Sequence, residues 1–156
     1  MRITVLAIGT RMPAWVDEGV QDYLKRLPKH IDMSFKALPA AQRSSRISTD
    51  KLKEKEGEQI LKALPEKAYT IALDEHGKQH TSSGWGKQLE NWLAERSEVC
   101  FLIGGADGLA DICRSRADEI WSLSDMTLPH ALVRVVLAEQ VYRAWTLTQG
   151  HPYHRD

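Results

Sequence analysis

Five short apolar runs, at residues 3–8, 31–38, 69–73, 99–103 and 120–123, alternate along this chain with stretches of helical spacing. That alternation restricts the fold more than any other feature. Residues 3–8 and 99–103 are almost continuously apolar, as strands covered on both faces are. Residues 31–38 instead alternate, with Ile31, Met33, Phe35 and Ala37 on one side. Pro13 opens a helix through about Arg26, with Trp15, Val16, Val20, Tyr23, Leu24 and Leu27 near helical spacing. Residues 39–47 form a polar loop. Residues 48–64 read as a helix capped by Ser48 or Thr49 and stopped by Pro65. Residues 74–86 are a glycine-rich, polar connection into a helix that ends near Arg96. The pattern predicts an α/β fold, a mainly parallel sheet covered by helices. With 156 residues and no repeat, low-complexity stretch or linker, a single domain over 1–156 is the economical reading.

The last helix, from about Pro129 to Gln149, is apolar on nearly every face. Leu132, Val133, Val135, Val136, Leu137, Val141, Tyr142, Trp145 and Leu147 leave little polar circumference. Glu139 and Arg143 stand four apart in the order that favours pairing. One side of such a helix covers its own sheet and the other needs a second partner. A symmetric homodimer is the commonest solution, and a central position within one domain is the alternative.

Three strand ends feed loops that suit a ligand. They are Leu73-Asp74, Gly104-Gly105-Ala106-Asp107-Gly108, and the run 123–128 (Leu123, Ser124, Asp125, Met126, Thr127, Leu128). Open α/β sheets bind ligands at such ends. Gly104 and Gly105 permit close approach to the backbone, and the apolar side chains suit an adenine. The glycine turn matches neither the dinucleotide fingerprint nor a P-loop. The polar tail 151–156 holds two histidines, a tyrosine and an arginine, able to hydrogen-bond, stack on a base and contact phosphate. Two imidazoles without a third ligand make no zinc site, so no metal is expected.

Composition narrows the class. Net charge is zero, which argues against nonspecific nucleic-acid binding. Arg43, Arg46, Lys51, Lys53 and Lys55 nevertheless cluster, either as a basic patch or as a solvated helix face interleaved with Glu54, Glu56 and Glu58. Cys100, inside an apolar strand, and Cys113 form no paired motif, which fits reduced thiols in a cytoplasmic protein. The N-terminal apolar run is too short for a signal peptide. No segment approaches the roughly 20 apolar residues that cross a bilayer, so no membrane partner is expected.

Several stretches together carry a resemblance. They are Ile103-Gly104-Gly105-x-x-Gly108, Trp121-Ser122-Leu123-Ser124-x-x-Thr127-Leu128-Pro129-His130, Arg134, Glu139-Gln140-x-Tyr142-Arg143-Ala144 and His151-Pro152-Tyr153-His154-Arg155. The N-terminal Ala7-Ile8-Gly9-Thr10-Arg11-Met12-Pro13-x-Trp15, Lys55-Glu56-Gly57-Glu58 and Leu73-Asp74-x-x-Gly77-Lys78 extend it over essentially the whole chain. The chain resembles the SPOUT-class methyltransferases that modify N3 of a pseudouridine in bacterial 23S rRNA. The resemblance implies a deep C-terminal trefoil knot, S-adenosylmethionine bound at the knot and a homodimer. It also implies a substrate in helix 69 of the large-subunit rRNA, methylated on the assembled ribosome. Carried over by motif, cofactor contacts fall on Leu73, Gly104 and 123–128, with Gly105 beside them. Ala106, Asp107, Gly150 and Asp156 depart from the usual residues, and Gly150 is expected to loosen the hinge before the tail.

Methyl transfer to N3 requires alignment and loss of the N3 proton. His154 is the first candidate for contact with the base, Glu139 the second. Arg143 and Arg155 are candidates for phosphate or a developing oxyanion. Tyr153, His154 and Arg155 form the expected RNA contact. A Rossmann-type oxidoreductase and a noncatalytic ribosome-binding factor are the rival readings. The first lacks its glycine fingerprint, and the intact glycine turn and 123–128 run speak against the second.

Overall fold

The computed structural model describes residues 1–154. Five strands, β1 (Arg2–Ile8), β2 (Asp32–Leu38), β3 (Tyr69–Gln79), β4 (Glu98–Ile103) and β5 (Glu119–Ser122), form one sheet in the order β2-β1-β4-β3-β5. Every pairing is parallel, so the mainly parallel expectation becomes an all-parallel sheet. The helices are α1 (Ala14–Leu24), α2 (Thr49–Ala63), α3 (Ser82–Glu95), α4 (Asp111–Arg116) and α5 (His130–Thr148).

Alternation along the two central strands explains their unbroken apolar runs. Ile3, Val5 and Ala7 of β1, with Val99, Phe101 and Ile103 of β4, face a core shared with α3 and α5. Leu6, Ile8, Cys100 and Leu102 face the opposite core, under α2 and α4. The edge strand β2 keeps its polar residues exposed and buries Met33 in the core under α3 and α5 and Leu38 in the opposite one, while Ala37, expected on the Met33 side, is exposed. Ser48 caps α2 by accepting from Lys51 N–H at 3.3 Å, and Thr81 caps α3 by accepting from Gly84 N–H at 3.0 Å. Cys100 and Cys113 are free and buried, and burial pushes their thiols up to about 12 and about 11 respectively.

Two elements depart from the sequence reading. Residues 74–79, expected as a connection, continue β3. Leu73 and Lys78 both pair with Trp121, so residues 74–77 bulge out and the strand then rejoins β5. Gly77 makes this closure feasible. A Cβ there would lie 2.5 Å from the backbone carbon of Trp121. The second departure is α4, only 6 residues long and too short to show a helical period.

Helix α5 lies between α1 and α3 over the sheet. Leu137, Ala138, Val141, Tyr142 and Ala144 are buried, while Leu132, Val135 and Val136 are half-buried. Much of its apolar circumference is therefore covered within the protomer. No helix of the described residues is long and apolar enough to cross a membrane.

His80, just past the bulge, packs its ring 4.1 Å from that of Trp121, and its buried Nε2 has no hydrogen-bond partner among the described residues. Burial, then the nearby Lys78 charge, hold its pKa below the ordinary 6.5, against a smaller opposing pull from Glu119. The unfolded chain thus takes up a proton that the folded state resists. Stability contributed by neutral His80 is present above about pH 6.5 and is lost as pH falls below it. Thermal melts over that range should show the acid loss flattened in His80→Phe. An unchanged slope would show that His80 does not drive it.

Candidate active site

The C-terminal ends of β3, β4 and β5 enclose a cleft of about 1120 Å³. Of the sequence-predicted cofactor residues, Leu73, Gly104, Gly105, Leu123, Ser124, Met126, Thr127 and Leu128 all line it. Asp125 sits off the lining, exposed, accepting a hydrogen bond from Gln79 Nε2. The loop after β5 is internally braced. Ser122 Oγ donates to the Ser124 carbonyl and Met126 N–H donates to Ser124 Oγ, each at 3.0 Å.

Gly104 is also required by the packing of its own turn. A Cβ at 104 would sit 2.4 Å from the carbonyl carbon of Gly108 and 2.7 Å from the Leu109 nitrogen. The turn folds back on itself there, with Gly108 N–H donating to the Gly105 carbonyl at 3.1 Å. Gly108 has φ +85°, a left-handed conformation that favours glycine. Closure of the turn by itself requires glycine at 104, on the lining of the cleft.

Arg114 on α4 ties two cleft walls together, and no local sequence pattern marks it. Its Nη1 donates to Asp74 Oδ2 at 3.0 Å and to the Leu109 carbonyl at 2.8 Å, and its Nη2 pairs with Asp111. These partners hold its pKa above the ordinary arginine value, against burial, which is the largest single influence and pulls downward. The other oxygen of Asp74 accepts from His76 N–H at 2.9 Å, which shapes the bulge. An arginine anchoring a strand end to a glycine turn becomes visible only once both are folded.

The expected catalytic residues gather elsewhere. Glu139 Oε1 accepts from Arg143 Nε and from Tyr153 Oη, both at 2.9 Å. The Tyr153 ring meets Tyr142 edge-on at 4.7 Å and lies 5.1 Å beneath the Arg143 guanidinium. Burial first, then the bond to Glu139, drive the Tyr153 hydroxyl pKa well upward. His154 is half-buried, and its buried Nδ1 has no hydrogen-bond partner among the described residues. Arg155, the remaining predicted RNA contact, lies outside the described residues. None of Glu139, Arg143, Tyr153 or His154 lines the cleft. At 1.5 Å rise per residue, Arg143 lies about 15 Å along α5 from Val133, which does line it.

Gly150 does not loosen the hinge. It adopts φ +62°, and His151 N–H donates to the Thr146 carbonyl at 3.0 Å. That six-residue closure is the cap that ends many helices on glycine or asparagine. Gly150 therefore turns the tail back onto α5.

Comparison with known proteins supplies the remaining observation. A family model described as "Predicted SPOUT methyltransferase" matches residues 1–154. The chain belongs to this family. It is also similar over full length to proteins named ribosomal RNA large subunit methyltransferase H. The relative from Hahella chejuensis is 46% identical over 156 residues, covering 100% of both chains. The one from Thioalkalivibrio sulfidiphilus is 45% identical over the same span. The one from Saccharophagus degradans is 48% identical over 155 residues, 99% of this chain and 100% of the relative. The chain is thus a methyltransferase, and the cleft at the strand ends is its candidate active site. Among the described residues no cluster of three or more metal-ligating side chains occurs.

Because Gly104 packs against backbone, Gly104→Ala should destabilise the fold by about 1–3 kcal/mol, the usual cost of overpacking. Urea denaturation measures this. A stability equal to that of the parent chain would mean the turn has room that the geometry denies.

Proposed function

We propose that this protein transfers a methyl group from S-adenosylmethionine to N3 of a pseudouridine in helix 69 of bacterial 23S rRNA, on the assembled ribosome in the cytoplasm. One observation carries this reading. The residues that the resemblance assigns to the cofactor, spread from 73 to 128 in sequence, converge on one cleft, with Asp125 alone off its lining. The printed name of the full-length relatives points to large-subunit rRNA.

The cleft fits such a donor. Leu73, Ile103, Leu123 and Leu128 offer apolar walls to an adenine, and the glycine turn and residues 123–128 present backbone polar groups beside them. When bound, the sulfonium supplies an already activated methyl group. The chain's own task is then alignment, which is worth up to about 7–11 kcal/mol in favourable cases, and removal of the N3 proton. His154 is the better base of the two candidates. Glu139 is already engaged as the acceptor of Arg143 and Tyr153, whereas His154 Nδ1 has no partner among the described residues. Arg143 and Arg155 are positioned in sequence to offset negative charge developing on the uracil-type ring.

The separation of the two residue groups supports the homodimer. Arg143, about 15 Å along α5 from Val133, and a tail held on Glu139, about 9 Å from it, reach a reacting centre most simply in a second copy. The deep knot of the family is carried to this chain as part of the same reading.

Mass mapping of rRNA after incubating unmodified ribosomes with protein and S-adenosylmethionine should show one added methyl in helix 69. No added methyl would overturn the proposal. Deleting residues 153–156 should leave S-adenosylmethionine affinity within a few-fold yet nearly abolish methylation, and His154→Ala should lower turnover at least tenfold. Wild-type turnover in both variants would remove the tail from the chemistry. Sedimentation at micromolar concentration should find a dimer.

A further inference from the structure

The cationic stretch between β2 and α2 has a definite place in the fold. The loop of residues 39–47 is fastened at two points. Ala41 N–H donates to Glu56 Oε2 at 3.2 Å, and Glu56 is buried behind the glycine turn. Arg43 Nη2 pairs with Asp107 Oδ2 at 2.5 Å, and Asp107 belongs to the glycine turn itself. The loop is therefore tied to the rim of the cleft. One turn into α2, Lys53 is half-buried and lines the cleft, while Arg46 stands exposed on the loop.

The charges at this rim are unequally engaged. Arg43 is paired with Asp107, and Arg114 with Asp74 and Asp111. Among the described residues, Arg46 and Lys53 make no ion pair. Lys78 on the opposite wall makes none either, but no other cation of the loop continues from it. Lys51 and Lys55 are exposed on α2 about 200° of helical rotation from Lys53, on its far side. The stretch thus divides into a solvated face with Lys51 and Lys55, and a second part in which Lys53 lines the cleft and Arg46 follows three residues after the Arg43–Asp107 tether.

We propose that Arg46 and Lys53 bind the phosphate backbone of the RNA strand that presents its base to the cleft. This rests on the RNA-methyltransferase reading above. A chain of zero net charge has no broad field to attract RNA, so an unpaired lysine on the cleft lining, with an unpaired arginine on the loop tethered to its rim, supplies register as well as attraction. Fastening the loop to Asp107 and Glu56 lowers the cost of ordering it when RNA arrives.

The test compares Arg46→Ala/Lys53→Ala with Lys51→Ala/Lys55→Ala in the full chain. Measured quantities are the KM and kcat for ribosomes at several salt concentrations, cosedimentation with ribosomes, and S-adenosylmethionine affinity by calorimetry. The first variant should raise KM at least tenfold with kcat retained. It should also flatten the salt dependence of log KM by about 0.9 for each lost phosphate contact. Its cofactor affinity should stay at the parental value, and the second variant should match the parent throughout. Parental KM in the first variant, an equal loss in both, or a loss confined to cofactor affinity would each overturn the inference. The last outcome would assign Lys53 to the cofactor. If the parent chain methylates no ribosomes, the functional reading fails on its own. Cosedimentation then still decides whether Arg46 and Lys53 bind ribosomal RNA.

Discussion

Trp121 is the residue around which the cleft is arranged. Its backbone pairs twice with one strand, once with Leu73 and again with Lys78. Its ring is fully buried against Trp85, Trp92, Phe101 and His80, and its indole N–H donates to Glu119 at 2.7 Å. A side chain held on so many sides cannot shift, so the segment between its two pairing partners must bulge. That bulge supplies Asp74, Glu75, His76 and Gly77 to one wall of the cleft. The aromatic core on one face of the sheet thereby sets the shape of a polar loop at its end.

The opposite wall depends on the other core. Helix α4 packs through buried Cys113 against α2, where a Cβ on Gly57 would lie 2.9 Å from that of Ala110. From this helix Arg114 reaches both the bulge and the exit of the glycine turn. The two walls are linked by one guanidinium whose anchorage lies on the far side of the sheet. Both hydrophobic cores are thus needed to define the site, although neither contributes many side chains to it.

The strands were legible because burial on both faces leaves a run of apolar residues that a short window detects. The long helices were legible from their periodicity and from Ser48, Pro65 and Pro129 at their ends. The bulged second half of β3 was not, because Asp74, Glu75 and Gly77 read as turn formers, and nothing local shows that Trp121 waits to pair with Lys78. Helix α4 was too short for a period. The cleft lining was legible as three strand ends with suitable loops, Asp125 excepted. The clamps, Arg114 on Asp74 and Arg43 on Asp107, join residues 40 and 64 positions apart, and no local pattern carries such pairs. The packing demand on Gly104 was not legible either, because its neighbours at 108 and 109 meet it only once the turn has closed.

The two buried thiols have a practical consequence. An alkylating reagent attacks thiolate, and burial holds both groups protonated at neutral pH and out of reach. Cys100 lies at the centre of the sheet, so it is exposed only when the sheet itself comes apart. Cys113 sits on the short helix that supports the glycine turn, so it is exposed whenever that helix lifts. The chain therefore carries two internal clocks, one timing global opening and one timing the opening of its own active-site wall.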